Sequence, residues 1–294
     1  MCLLMTITNK HKDDQEIVLE AQEVLLGGVP VAPSRKNRRH HHFIVDTGSN
    51  VTIVHVPNTN KYRGKRKTIT FHNKNDPHHR AVDLNVRIKI NGGFCLKGRA
   101  SVLNLFRAIP SFPPTQSGII GTNMFQGRMI KVCNSGSVCI VKRNARLDGF
   151  YELEGVVGCD KYSDQLELGP LLTVNVGNKN NKRLFLVDTG NLRSTFCVVK
   201  KGQTKKQKQK QNGKGGGGCI AQLRLKNKNE TYQVFGDYLG WAPESLVSIK
   251  CSSGKSPVGN LGLDVWTGMF RESIFDFGST LLDGRPVYRI FCRP

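Results

Sequence analysis

The sequence contains no apolar run that approaches a membrane span, which takes about 20 consecutive apolar residues in a transmembrane helix. Its first five residues are apolar, but no basic segment precedes them and no small-residue cleavage site follows them. These absences argue against a secretory signal peptide and a transmembrane segment. We therefore expect a cytoplasmic or nuclear protein, or one made inside an infected cell, with no membrane partner.

The sequence also lacks any Cys-x-x-Cys spacing, although it has nine cysteines, which is an odd number. Without a secretory signal, this pattern favours reduced thiols that lie mostly in the core. We expect no structural zinc site, no metal and no cofactor. The nine cysteines are Cys2, Cys95, Cys133, Cys139, Cys159, Cys197, Cys219, Cys251 and Cys292.

Acidic residues are scarce, since 22 Asp and Glu stand against 44 Lys and Arg, a formal net charge of +22. This balance favours an acidic partner, such as nucleic acid, an anionic surface or an acidic substrate segment, or it serves solubility alone. Residues 200–218 are rich in Lys, Gln and Gly and have no apolar periodicity, which predicts a mobile basic loop. Two functions stay open for this loop: an electrostatic funnel for the substrate, or a solvated surface.

One motif occurs twice in the chain. Residues 43–49 read Phe-Ile-Val-Asp-Thr-Gly-Ser, and residues 185–191 read Phe-Leu-Val-Asp-Thr-Gly-Asn. Each copy is followed by a Gly-x-x-Gly segment, at 118–121 and 259–262, with separations of 121 − 46 = 75 and 262 − 188 = 74 residues. The period is 188 − 46 = 142 residues, which suits two small domains better than a solenoid repeat.

In these four segments the sequence resembles the aspartic proteases, both retropepsin-like and pepsin-like. In that family two halves face each other and each contributes one aspartate, so two copies imply a single-chain arrangement. The resemblance implies an all-β, internally duplicated, two-lobed acid-protease fold with an active-site cleft between the lobes. The expected lobes are 1–145 and 146–294.

The resemblance assigns the catalytic role jointly to Asp46 and Asp188. Two carboxylates a few Å apart share one proton, and they titrate as a pair. The ionised partner takes a proton from a water held between them, while the protonated partner polarises the scissile carbonyl. The expected activity is that of an aspartic endopeptidase that needs no cofactor.

Four neighbouring residues are expected to support the catalytic loops. Gly48 and Gly190 lack a Cβ, so the chain can turn sharply and present a backbone N–H to the carboxylate. By resemblance, Thr47 and Thr189 would form hydrogen bonds across the two halves.

The residues after each turn have further expected roles. Ser49 could donate its hydroxyl to Asp46 and favour the ionised form, or it could cap the turn. Asn191 replaces the usual small residue, and its amide could donate a similar bond or crowd the site. Gly121 and Gly262 would let a strand pass closely behind each catalytic loop.

The remaining pattern is a series of β-rich runs and turns. It predicts a basic hairpin tip at 34–42, and it places Trp241 in a substrate pocket or in the core. The resemblance to the aspartic proteases implies a flap hairpin at 58–80 and a short helix beginning at Met124. Further hairpins are predicted at 84–102, 129–141, 171–188, 221–235 and 273–291.

Two alternatives to the single-chain enzyme remain. In the first, the fold is a catalytically inactive duplicate that acts as a basic nucleic-acid-binding or scaffold protein. In the second, the chain dimerises and pairs Asp46 with Asp46. The favoured reading is a monomer that cleaves polypeptides and makes weak electrostatic contact with nucleic acid. Its intracellular, compact and basic character favours processing of a viral or mobile-element polyprotein.

Overall fold

The structure is a computed structural model of the 294-residue chain. It describes residues 6–10, 14–21, 23–26, 42–62, 65–70, 78–90, 94–108, 112, 116–159, 168–177, 183–197, 218–239, 249, 251 and 255–294. These residues form β-sheets with only short helical segments, so the predicted all-β class is confirmed.

The chain forms two compact units. The first unit comprises residues 1–125 and 167–169, and the second comprises 126–166 and 170–294. The sequence analysis placed the boundary between the two lobes at residue 145, whereas the main segment of the first unit ends at residue 125. Residues 126–145 group with the second unit because their first strand, Met129–Cys133, forms backbone hydrogen bonds with Glu272–Asp276 near the C-terminus.

A nine-stranded sheet forms the first unit. Its order is β1-β2-β7-β8-β5-β9-β4-β3, and β6 pairs with β7. The strands are β1 (Thr6–Lys10), β2 (Asp14–Ala21), β3 (Glu23–Leu26), β4 (His42–Val45), β5 (Thr52–His55), β6 (Lys65–Thr70), β7 (His78–Ile90), β8 (Phe94–Leu103) and β9 (Gln116–Ile120).

Two sheets form the second unit, in the orders β11-β10-β20-β21-β12 and β13-β14-β15-β19-β16-β18-β17. The strands are β10 (Met129–Cys133), β11 (Val138–Val141), β12 (Tyr151–Glu152), β13 (Val156–Cys159), β14 (Leu171–Val176), β15 (Arg183–Val187), β16 (Thr195–Cys197), β17 (Gly218–Arg224), β18 (Thr231–Leu239), β19 (Gly259–Leu261), β20 (Glu272–Leu282) and β21 (Arg285–Arg293).

The helical segments are short. They are α1 (Leu105–Ala108), the 3₁₀ turns Thr59–Lys61 and Thr122–Met124, and a π-helical segment, Asp264–Met269. The helix expected to begin at Met124 is instead the 3₁₀ turn that ends there. Within the described ranges, no helix is long and apolar enough to cross a membrane.

The same five-strand arrangement occurs once in each unit. In the first unit β4 runs parallel to β9, β9 antiparallel to β5, β5 parallel to β8, and β8 antiparallel to β7. The second unit repeats these four pairings with β15, β19, β16, β18 and β17. The registers correspond as well, since Phe43 pairs with Gly118 and Phe185 with Gly259. The 142-residue sequence repeat therefore matches a repeat of strand topology.

The core of each arrangement follows from the apolar runs of the sequence. Phe43 and Val45 of β4 are buried while Ile44 between them is half-buried, as expected for a strand whose side chains alternate between faces. In β15 the four residues 184–187 are all buried, which is typical of a strand covered on both faces. An Asp-Thr-Gly turn follows directly after each of these two strands.

The predicted hairpins at 84–102, 129–141, 171–188, 221–235 and 273–291 are confirmed as antiparallel strand pairs. In the last of them, Asp283 and Gly284 have φ of 50° and 74°. Two consecutive residues with positive φ are the requirement of a type I′ turn, which Asp-Gly meets well. A β6–β7 hairpin lies in the region of the predicted flap.

Some predictions concern residues that the structure does not describe. The tip at 34–41, most of the basic loop 200–218 and Trp241 lie outside the described residues. The strands that flank the first tip are β3 and β4, and they pair in parallel. The strands of a hairpin pair antiparallel, so the prediction of a hairpin formed by these two strands is wrong.

The expectation of nine reduced thiols is also wrong. Cys159 at the end of β13 forms a disulfide with Cys251, with a Cα–Cα distance of 4.7 Å. Both cysteines lie in a buried apolar cluster with Leu171, Leu184 and other residues of the second unit. Because 92 residues separate them in sequence, their spacing could not indicate the pairing. Among the other described cysteines all six are free thiols.

Candidate functional site

The first Asp-Thr-Gly turn begins where β4 ends. The backbone N–H of Asp46 donates to the carbonyl of Ile120 on the neighbouring strand β9 at 3.0 Å, so the strand pairing holds the start of the turn. The N–H of Gly48 donates to Oδ1 of Asp46 at 2.8 Å. Thr47 between them is fully buried, and Asp46 is partly exposed.

The hydroxyl of Ser49 caps this turn. It donates to the carbonyl of Val51 at 2.8 Å. Since a hydroxyl has one hydrogen, that hydrogen points to Val51 and not to Asp46. Of the two roles considered for Ser49, the structure therefore shows the capping of the turn.

The second turn begins in the same way, because the N–H of Asp188 donates to the carbonyl of Leu261 at 3.0 Å. The carboxylate of Asp188 accepts four hydrogen bonds. Oδ1 accepts from the backbone N–H groups of Gly190 and Asn191 at 3.0 and 3.2 Å. Oδ2 accepts from the side-chain amides of Asn191 and Asn260 at 2.6 and 3.0 Å. Asp188 is buried, with 8% of its surface exposed.

The amide of Asn191 therefore donates to the carboxylate and does not merely crowd it. Asn260 makes a similar contact that the sequence analysis missed. A signal was present, because the segments Gly-Ile-Ile-Gly at 118–121 and Gly-Asn-Leu-Gly at 259–262 differ in polarity at their second position. A polar residue in a buried strand needs a hydrogen-bond partner, and here the partner is Asp188.

Each Gly-x-x-Gly segment ends against the loop that follows its Asp-Thr-Gly turn. A Cβ on Gly121 would collide with the carbonyl of Val51. A Cβ on Gly262 would lie 2.7 Å from the carbonyl carbon of Arg193 and 2.9 Å from the carbonyl oxygen of Asn191. Only glycine allows the two backbone segments to approach this closely.

Behind the first turn, four residues form a hydrogen-bonded network. Thr52 Oγ1 accepts from the N–H of Gly121 at 3.1 Å and donates to Oδ1 of Asn123 at 2.8 Å. The amide of Asn123 donates to the carbonyl of Arg99 at 2.7 Å. The network ties the loop after the turn to the segment after β9 and to β8.

The same network recurs behind the second turn. Ser194 Oγ accepts from the N–H of Gly262 at 2.9 Å and donates to Oδ1 of Asp264 at 2.7 Å. The hydroxyl residue follows the turn aspartate by six positions in both repeats, and the acceptor follows the glycine by two. This spacing was visible in the sequence, but its role depends on contacts between distant segments.

The two turns belong to different units, and the sharing of a proton between Asp46 and Asp188 stays a prediction. Thr189 is fully buried, as Thr47 is, and the expected link between them also stays a prediction. The catalytic assignment of all these residues is treated below as a proposal.

Two of the free cysteines, Cys197 and Cys292, are buried thiols. Burial raises the pKa of Cys197 to about 11 and that of Cys292 to about 12. Thiols with such pKa values stay protonated at neutral pH and are poor nucleophiles. In the ranges that the structure describes, no group of three or more His, Cys, Asp or Glu is placed to hold a metal ion.

A comparison with models of known protein families and a search of curated proteins found no match to this chain.

Proposed function

We propose that this chain is an aspartic endopeptidase of the two-lobed acid-protease fold, in which Asp46 and Asp188 share one proton at the floor of a cleft. The substrate is a polypeptide, and the enzyme acts as a monomer in intracellular processing of a viral or mobile-element polyprotein. The assignment to this fold family rests on the sequence resemblance and on the repeated local geometry together.

The observation that carries the proposal is the repetition of one local structure around each aspartate. Both aspartates follow a buried strand, and in both turns the N–H of the glycine two positions later donates to Oδ1 of the aspartate. The same hydroxyl–glycine–acceptor network lies behind each turn. A duplicate that kept only turn signals would not need both carboxylates or both networks.

The chemistry assigned to the pair is hydrolysis of a peptide bond without a covalent intermediate. The ionised carboxylate accepts a proton from water as the water attacks the scissile carbonyl. The protonated carboxyl donates a hydrogen bond to the carbonyl oxygen, on which negative charge develops. Proton transfer to the leaving amine then completes cleavage and restores one shared proton on the pair.

The test is cleavage of a random peptide library between pH 4 and pH 8, with and without pepstatin. Wild type is compared with Asp46→Asn and Asp188→Asn, and Asp237→Asn serves as a control because Asp237 is an exposed aspartate outside both turns. We expect cleavage by wild type and by the control, inhibition by pepstatin, and a loss of at least about 1,000-fold in both turn variants.

The other outcomes separate the alternatives. Loss only in Asp46→Asn, together with a dimer in light scattering, would replace the proposal with a homodimer that pairs two first repeats. No cleavage by a folded wild type would overturn the proposal. Tight, salt-sensitive binding of nucleic acid by that inactive protein would then support the basic scaffold, because phosphate contacts release counterions.

A further inference from the structure

We propose that the outer edge of β17 is a docking site at which an extended acidic segment of another polypeptide adds as a further strand. Every residue that borders the site belongs to the second unit. The site also lies away from the second turn, because Arg183 on its border precedes Asp188 by five residues, about 17 Å along β15. Docking at this edge therefore does not depend on the proposed proteolysis.

A cavity of about 520 Å³ lies beside β17. Its wall includes the consecutive residues 219–224 of β17 and the consecutive residues 174–177 at the end of β14. Successive side chains of a strand point to opposite faces. A cavity bordered by an unbroken run of strand residues therefore lies along the edge of the strand and not over one face. Its volume is in the range of ligand sites, roughly 300–1,000 Å³.

The edge of β17 that faces away from β18 has an unpaired peptide donor and acceptor. The N–H of Glu154 donates to the carbonyl of Arg224 at 2.9 Å, so the backbone polar groups of Arg224 point to this edge. Those of every second residue in a strand point the same way, so the N–H and the carbonyl of Gln222 also face it. Among the described strands β17 pairs with β18 alone, and no described residue bonds to these two groups of Gln222.

The corresponding strand of the first unit already carries a strand on its second edge. β7 holds the place of β17 in the five-strand arrangement, and its residues 85–90 pair with β8 and also with β2. One stretch of strand can pair with two neighbours only through its two opposite edges. The arrangement thus accommodates an added strand here, and among the described strands of the second unit none takes that place.

The lining of the cavity indicates which side chains an added strand would carry. The exposed rim has two basic residues, Arg183 and Arg224, and one acidic residue, Glu154. The side chains of an added strand alternate between two faces, so apolar residues would meet the buried lining and acidic residues the rim. The buried lining is apolar and consists of Val174, Val176, Phe185, Ile220, Ala221 and Leu223.

Both rim arginines can bind a carboxylate. Neither forms an ion pair with any residue that the structure describes. The guanidinium of Arg183 lies over the ring of Phe196, 4.8 Å from its centroid, and this stacking leaves the N–H donors in the guanidinium plane free. A second copy of this chain would place two basic rims side by side, so like charges disfavour self-pairing and favour an acidic partner.

The first experiment measures binding to the full chain by fluorescence anisotropy. The probes are labelled peptides of about ten residues in which Glu alternates with Val, Ile or Leu. We expect a Kd below about 1 mM. Peptides with Lys in place of Glu, and Glu peptides N-methylated throughout the backbone, should bind at least about 5-fold more weakly. No binding of the Glu peptides, or equal binding of the N-methylated ones, would overturn the proposal.

Protein variants separate the main-chain contact from the charge. Gln222→Pro removes the N–H at the open edge and leaves the ladder with β18 intact, whereas Gln222→Ala keeps that N–H. The double variant Arg183→Gln, Arg224→Gln removes the basic rim, and Arg146→Gln changes an exposed arginine outside the cavity. We expect binding about 5-fold weaker in Gln222→Pro and in the double variant, and unchanged in the two controls.

A simple anion site would give a different pattern. Peptide binding would then be weakened in the arginine double variant, unaffected by Gln222→Pro and by N-methylation, and displaced by inorganic phosphate. That pattern would overturn strand addition. A dimer in light scattering that Gln222→Pro dissociates would overturn it as well, because the edge would then pair with a second copy.

Amide hydrogen exchange, followed residue by residue by NMR, tests the open edge directly. In the free protein the amide of Gln222 should exchange faster than those of Ala221 and Leu223, which point to β18. The Glu peptides should slow the exchange of Gln222. Slow exchange of Gln222 in the free protein would show that the edge is already paired and would overturn the site. This measurement on wild type decides the case if Gln222→Pro does not fold.

Discussion

Thr52 donates a hydrogen bond to Asn123 across 71 residues of sequence, at 2.8 Å. The hydroxyl of Thr52 also accepts from Gly121, so one fully buried side chain connects the loop after the first turn to the segment that follows β9. Ser194 makes the corresponding bonds in the second unit. The position of each turn aspartate therefore depends on a hydroxyl residue six positions further along.

Removing this hydroxyl should destabilise the unit that contains it. We expect Thr52→Val to lower the free energy of unfolding by about 1 to 3 kcal/mol, because the N–H of Gly121 becomes a buried donor without a partner. Thr52→Ser keeps the hydroxyl and copies the second repeat, so it should cost clearly less. Urea unfolding followed by circular dichroism measures both. Equal losses in the two variants would show that packing, and not the hydrogen bond, is responsible.

Glycine at position 262 should contribute to the stability of the second unit. In Gly262→Ala the new Cβ would press on the backbone of Arg193 and Asn191, and we expect a loss of about 2 to 3 kcal/mol. Gly268→Ala is the matched control, because the nearest atom to a Cβ there is 4.0 Å away. Alanine in that helical segment should be neutral or slightly stabilising. Thermal unfolding measures the melting temperature of each variant, and we expect that of Gly262→Ala to be the lower. Similar melting temperatures would contradict the predicted collision.

The disulfide should be detectable chemically. Alkylation in denaturant without a reductant, followed by peptide mapping, should leave Cys159 and Cys251 unmodified and joined. Closing a loop of 92 residues stabilises by about 4 to 5 kcal/mol in the chain-entropy model, so reduction should lower the unfolding free energy. The double variant Cys159→Ala, Cys251→Ala should not respond to reductant. Alkylation of both cysteines in the unreduced wild type would refute the pairing.

The first unit should lose stability when His55 becomes protonated. Burial lowers the pKa of His55, and its Nδ1 accepts a hydrogen bond from the N–H of Leu105 at the start of α1. The unfolded chain therefore binds a proton more readily than the folded chain, so this contribution is complete above about pH 6.5 and decreases as the pH falls. We expect a smaller decrease between pH 7.5 and pH 5 in His55→Asn.

His55→Asn keeps a side-chain acceptor near Leu105 but does not titrate, so it isolates the protonation of the histidine. Urea unfolding of wild type and variant across this pH range provides the comparison. Parallel curves for the two proteins would show that other groups cause the pH dependence.

Much of the fold could be predicted because its signals are local. The paired motifs indicated the duplication, and the turn residues Asp283 and Gly284 indicated a hairpin whose φ values are those the turn requires. The parallel pairing of β3 and β4 could not be predicted, since an apolar run followed by a basic segment does not reveal whether the next strand pairs in parallel or antiparallel. The end of the first unit was missed for a related reason, because β10 pairs with a strand near the C-terminus.

The sequence by itself determined which residues repeat: two aspartates, each in an Asp-Thr-Gly turn after an apolar strand, with a Gly-x-x-Gly segment about 75 residues later. Such patterns are local, so no knowledge of partners is needed to find them. The tertiary structure decided which polar groups contact each turn. Asn260 lies 72 residues from Asp188 in sequence and reaches its carboxylate only because β19 pairs with β15. Strand pairing brings distant side chains together, and that pairing makes the surroundings of Asp188 differ from those that residues 49 and 119 provide in the first repeat.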